Sequence, residues 1–208
     1  MNFNHVLCLS PHPDDVEYSM SGTIVKNKDT VFHILCLSNG GDCDSTTSYL
    51  RYNEMINSWK VANIDNYNLI KSNVEFIKDK QTDEWIQYIE IECLAKLDID
   101  AILLPSSIDS HFEHVLVSSF GNALARIKPY SLIEYKSPSA LENWNANLFM
   151  DISEVYETKK NMLLEFKSQI SKTYFTEDTI DGYHTHFQCS KKGLKKVEQF
   201  KINTSYHK

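Results

Sequence analysis

The run His12-Pro13-Asp14-Asp15 follows an apolar stretch near the start of the chain, and Asp109, His111, Glu113 and His114 crowd together much later. Histidine nitrogen and carboxylate oxygen are donors that zinc prefers, and catalytic zinc takes three protein ligands while leaving one position for water. His12, Asp15 and His114 would make such a set from two separated segments. Asp14 and His111 would then stand as unligated acid–base groups beside the bound water. The chemistry implied is hydrolysis. A metal lowers the pKa of its water from about 16 to about 7, a carboxylate can take the proton, and an imidazole can stabilise or protonate what forms. Each motif alone has a plainer reading: Asp14 or Asp15 as a helix cap after Pro13, the histidines as structural groups. Their joint occurrence is what favours a metal.

Such residues need a scaffold that brings two distant segments together. Short apolar runs alternate with longer helical patterns, the signature of a parallel sheet with crossover helices. Strands are predicted at 6–9, 31–37, 101–105 and 131–135, with further patterns at 67–71 and 148–152. Helices are predicted over 18–28, 47–63, 83–97, 112–127 and 153–170; Val115, Leu116, Phe120, Leu124 and Ile127 give the fourth its apolar stripe. The polar stretch 173–189, with His184 and His186, reads as a loop. A last short helix is expected around 191–199, with Lys191, Lys192, Lys195 and Lys196 on its wet face. The fold class is therefore α/β, a Rossmann-like layered fold with a mostly parallel central sheet and helices on both faces, in one domain over 1–208. Open sheets of this kind bind ligands at the carboxyl ends of their strands. "SPHPDD" follows the first strand and "SSIDSHFEH" follows the 101–105 strand.

A formal net charge of −7 speaks against a nucleic-acid partner, and no GxGxxG follows the first strand. Five cysteines without a CxxC or a pairing framework point to a reducing compartment, the cytoplasm. "NFNHV" after Met1 is no signal peptide, and no apolar run approaches the ~20 residues that span a bilayer. No membrane partner is expected, and the apolar helix faces would permit a homo-oligomer. Asp42, Cys43 and Asp44 read as a polar loop in preference to a second metal site.

"PHPDDVE", then "SGTI", then "DSHFEH" together resemble the zinc-dependent N-acetylglucosaminyl deacetylase family (LmbE/PIG-L-like), which includes the mycothiol and bacillithiol pathway deacetylases. Further blocks fall in the family's order: "LSNGG" (37–41), "RYNE" (51–54), "LFMDISEVYETKKNMLLEFKSQ" (148–169) and "VEQF" (197–200). The resemblance implies a zinc ion, or another divalent metal since two histidines and an aspartate do not choose strongly, held by His12, Asp15 and His114. It implies Asp14 as general base and His111 as the group that stabilises the tetrahedral intermediate or protonates the leaving amine. Arg51 falls where the family contacts substrate, although alone it reads equally as a solvated residue or a partner of Glu54. Glu17 matches the acid of the first motif, with Asp109 and Glu113 in support. The implied reaction removes an N-acyl group, an acetyl, from a small-molecule amino sugar or sugar conjugate, releasing acetate and a free amine. The alternatives are a zinc amidohydrolase acting on a non-sugar amide and a metal-binding relative without catalysis.

Three departures stand out. Glu113 replaces the usual aspartate that would orient His111, serines in "YSMSGT" replace glycines and narrow the approach to substrate, and "ANID" lacks the family's Leu-Gly. A carboxylate neighbour should keep His111 protonated to higher pH than a free histidine, giving a bell-shaped rate profile with Asp14 and His111 as its limbs. Tyr49, Tyr52, Trp144 and Tyr183 are the candidates to stack on a sugar ring.

Overall fold

The structure is a computed structural model that describes residues 3–40 and 45–206; the Asp42–Asp44 segment lies outside them. Among the described residues, the first five strands run parallel: β1 (His5–Ser10), β2 (Val31–Cys36), β3 (Tyr67–Lys71), β4 (Ala101–Pro105) and β5 (Ser131–Tyr135). With β6 (Leu148–Asp151) and β7 (Val197–Thr204) they make one sheet in the order β3-β2-β1-β4-β5-β7-β6. The helices are α1 (Asp15–Lys26), α2 (Ser45–Ala62), α3 (Thr82–Ile89), α4 (Phe112–Leu124), α5 (Tyr156–Leu163), α6 (Glu177–Tyr183) and α7 (Phe187–Lys191).

The central strands are apolar throughout because both faces are covered. Val6 and Cys8 of β1 face Val16, Met20 and Ile24 of α1, with Met55 and Trp59 of α2. Leu7 and Leu9 point the other way, into a layer with Trp85 of α3 and Phe120 of α4. Each such buried side chain contributes about 1.5–3 kcal/mol. The chain leaves β1 for β2 and β3 on one side and then returns to β4 on the other. A crevice opens where the order reverses, at the carboxyl ends of β1 and β4.

The six expected strands are present, and a seventh was not expected. Residues 197–204 form β7, antiparallel to β5 and β6, where the sequence suggests the end of a helix. Gly193, at φ +84, turns the chain after α7, so Lys195 and Lys196 lie in a connection and Lys196 Nζ meets Asp181 Oδ1 at 3.3 Å. The strand is hard to read because Glu198 breaks its apolar pattern although it is buried. Gly22 N and Thr23 N donate to it at 2.8 and 2.7 Å, and Lys159 Nζ at 2.5 Å. The predicted helix over 153–170 stops at Leu163, since Phe166 leaves the helical region (ψ 61) to bury its ring against Phe175. The supposed loop 173–189 carries α6, capped by Thr176, which accepts from Thr179 N, and the start of α7. Helices this short lie below the length at which periodicity is readable. Among the described residues no helix is long and apolar enough to cross a membrane.

Lys159 and Glu198 are both fully buried, and breaking one side of such a pair costs about 3–5 kcal/mol. Urea unfolding of Lys159→Met is expected to show a loss of that size. A loss under about 1 kcal/mol would mean that Gly22 and Thr23 satisfy Glu198 by themselves.

Candidate active site

The end of β1 supplies the first half of the site. Ser10 Oγ donates to His12 O at 2.7 Å, tightening the turn into α1. Asp14 occupies the helix N-cap at φ 121, a left-handed backbone that non-glycine residues rarely adopt. Three contacts hold it there. Its N–H donates to Glu17 Oε2 at 3.0 Å, its carbonyl accepts from Tyr18 N at 2.7 Å, and its Oδ2 accepts from Arg51 Nη2 at 2.5 Å. Glu17 stands behind the site, fully buried, with its other oxygen accepting from Trp59 Nε1. Burial lifts the Glu17 carboxyl to about 7.

The segment after β4 supplies the second half, with Asp109 at its hub. Asp109 Oδ1 accepts from His111 N at 2.7 Å. Its Oδ2 accepts from His114 Nδ1 at 3.0 Å and from Ser137 Oγ. His111 caps α4, its Nδ1 accepting from Glu113 N at 3.3 Å. These bonds fix the His114 ring with Nε2 facing the crevice.

The halves converge on Asp15. His12 Nδ1 lies 3.0 Å from Asp15 Oδ2, and His114 Nε2 lies 3.3 Å from Asp15 Oδ1. Two donors each about 2.1 Å from one tetrahedral metal lie roughly 3.4 Å apart, so these spacings fit a shared divalent ion. His114 Nε2 is buried and has no hydrogen-bond partner, as a ligand atom requires. His12, His111 and His114 also each offer a nitrogen within 4.8 Å of the other two. All four residues line one cavity of about 210 Å³ with Asp14, Tyr18, Gly40, Arg51, Glu113, Pro138, Ser139, Lys172 and Tyr174.

Charge balance follows the geometry. Burial alone would raise Asp15, but the His114 charge at 3.3 Å and the bond to His12 hold it well below the carboxylate range. Burial would lower His114, yet Asp15 and then Asp109 lift it to about 10. His12 is likewise raised against its burial by bonds to Asp15 and Glu113. Asp14 is raised by burial, with Arg51 opposing the rise.

Several expectations need correcting. Arg51 does not pair with Glu54. It bonds Asp14 and Gly40 O, while Glu54 accepts from Ser168 N and Oγ at 2.8 and 2.6 Å. Glu113 does not orient His111 through its carboxylate; Oε2 reaches His12 Nε2 at 2.6 Å instead. His111 is consequently lowered, by burial and then by the charges of His12 and His114, where the sequence suggested a rise. Ser19 and Ser21 are buried in α1 and do not line the cavity, so they leave the approach open. Tyr49, Tyr52, Trp144 and Tyr183 do not line it either: Trp144 donates to Glu134 Oε2 at 2.7 Å and Tyr183 to Lys136 O. His184 is fully buried on Ile180 O, and His186 packs on Phe149, away from the crevice. Sequence reasoning missed Ser137, Ser139, Lys172, Tyr18 and Tyr174. The serines follow a predicted strand end, which is a usable signal; the others carry none.

The sequence pattern of the family described as PIG-L, GlcNAc-PI de-N-acetylase, matches residues 7–125. No curated protein matches the chain in sequence. Among solved structures, N,N'-diacetylchitobiose deacetylase from Pyrococcus horikoshii is similar at 20% identity and a TM-score of 0.71, covering 97% of this chain and 84% of that one. GalB, the 4-carboxy-2-hydroxymuconate hydratase from Pseudomonas putida KT2440, is similar at 12% identity and a TM-score of 0.76, covering 99% and 98%. A zinc-inhibited form of teicoplanin deacetylase Orf2 is similar at 11% identity and a TM-score of 0.70, covering 95% and 97%. These likenesses establish the fold.

In chelator-treated protein His114 keeps its proton to about pH 10 when folded and releases it near 6.5 when unfolded. The stabilisation is complete below 6.5 and is lost as pH rises toward 10. Urea unfolding should show stability falling across that window, with a shallower fall in His114→Ala. Equal slopes would dismiss the pairing.

Proposed function

Because the chain belongs to the GlcNAc-PI de-N-acetylase (PIG-L) family, we propose that it is a metal-dependent N-deacetylase that removes an acetyl group from an amino sugar or sugar conjugate, releasing acetate and a free amine. The observation that carries this reading is the convergence of His12, Asp15 and His114 beside Asp14 and His111 in one cavity. His12, Asp15 and His114 would hold the divalent metal, zinc in our reading. When bound, it would act as a Lewis acid on the substrate amide and lower the pKa of water in the site.

The chain's own groups do the rest. Asp14 takes the proton of the attacking water. Burial raises its basicity, and Arg51 opposes the rise and keeps the carboxylate aimed. His111 accepts at Nδ1 from Glu113 N, so its proton sits on Nε2, which can donate to the developing oxyanion. Asp109 positions both histidines of the second half. At about 210 Å³ the cavity is smaller than the ~300–1,000 Å³ typical of drug-sized ligands. It suits the acyl group and one sugar ring, with Tyr18 and Tyr174 as walls and Lys172 at its edge. The free, buried Cys8, Cys36, Cys93 and Cys189 support a cytoplasmic setting.

The fold also hosts a hydratase in the similar Pseudomonas protein, so the assay must read amine release. Zinc-loaded protein is expected to release free amine from members of a panel of N-acetyl hexosamines and their conjugates. Asp14→Asn should lower kcat by about 10²–10⁴-fold at unchanged metal content. Activity that survives this change would exclude Asp14 as the base. Silence of the metal-loaded wild type over the whole panel would favour a non-sugar amide.

A further inference from the structure

We propose that Glu113 is a positioning residue that decides which nitrogen of His12 faces the metal; the inference rests on the metal reading above. His12 has both ring nitrogens engaged, Nε2 with Glu113 Oε2 at 2.6 Å and Nδ1 with Asp15 Oδ2 at 3.0 Å. A neutral imidazole has one N–H and one lone pair, and a metal takes the lone pair. An ionised carboxylate can only accept, so the side facing Glu113 is the N–H side. The lone pair is then on Nδ1, the nitrogen beside Asp15.

The choice matters because two donor sets overlap here. One consists of His12 Nδ1, Asp15 and His114 Nε2, linked by the 3.0 and 3.3 Å contacts. The other is the three-histidine group, whose nitrogens lie within 4.8 Å of one another. His111 stacks on His114 with ring centroids 4.6 Å apart and meets the His12 ring edge-on at 5.0 Å. A His12 ring freed from Glu113 could turn Nε2 to that second set. Glu113 excludes it and leaves His111 unligated, as its role toward the oxyanion demands.

Side-chain length is part of the device. Glu113 sits on α4 and reaches across the crevice to a residue 101 positions earlier. An aspartate there would be shorter by one carbon–carbon bond, about 1.5 Å. The 2.6 Å contact would open beyond hydrogen-bond range. The Glu113 side chain is 26% exposed, so its replacement leaves the core intact. Outer carboxylates of this kind are worth about 10–100-fold in metal affinity.

The test is metal binding, read without reference to turnover. The Zn²⁺ dissociation constant would be measured by chelator competition, and the visible spectrum would be taken after Co²⁺ loading, for wild type, E113Q, E113D, H111A and H114A. Glutamine can donate to Nε2 and reverse the tautomer, and aspartate falls short. Both are expected to weaken Zn²⁺ about 10–100-fold and to change the Co²⁺ spectrum. H111A should stay within about twofold of wild type while H114A loses the metal. E113Q and E113D with wild-type affinity and spectrum would overturn the proposal, even if their chelator-treated forms melt at lower temperature. H111A losing metal as H114A does would overturn it in favour of the three-histidine set. Wild-type protein that takes up no metal would overturn the metal reading itself and this inference with it, whereas failure of the Glu113 variants alone leaves that reading standing.

Discussion

Asp14 and Asp15 are adjacent, both carboxylates are buried, and each would repel the other's charge in a medium that solvates neither. Much of the molecule can be understood as the answer to that constraint. Each aspartate receives its own partners from a different direction. Arg51, carried on α2, closes on Asp14, while His12 and His114 flank Asp15 from the ends of two strands. The separation of partners is what lets neighbouring carboxylates differ in chemistry. The Asp14 carboxyl is pushed up by burial, and the Asp15 carboxyl is held down by its histidine neighbours.

The parallel sheet makes this arrangement affordable. Its central strands are covered on both faces, so their ends can be shaped by polar residues without exposing the core. The reversal of strand order between β1 and β4 leaves a crevice between two loops far apart in the chain. Polar residues behind the crevice brace it. Glu17 and Trp59 hold the Asp14 backbone in its left-handed conformation, and Asp109 with Ser137 fixes the His114 ring. The site is therefore built on rigid elements, the condition under which small errors in donor position are avoided.

The same logic gives the four histidine and carboxylate positions of the second half distinct duties. Asp109 serves His114, His111 caps its helix and keeps Nε2 protonated, and Glu113 crosses to His12. The Glu113 carboxylate, expected beside His111, serves His12 across the crevice instead.

The sequence by itself determined the strands of the sheet core, the layered α/β class and the two motifs at strand ends, because apolar periodicity and polar residue type are local properties. It also named Asp14, Asp15, His12, His111 and His114 as a group. It did not reveal β7, since Glu198 is a charged residue buried against Gly22, Thr23 and Lys159, and its partners are far away in sequence. Nor could it assign Arg51 to Asp14 or Glu113 to His12, or lower the pKa of His111. Those outcomes depend on which carboxylate lies nearest to which cation. That distance is decided only when β1 and β4 are laid side by side and their loops meet.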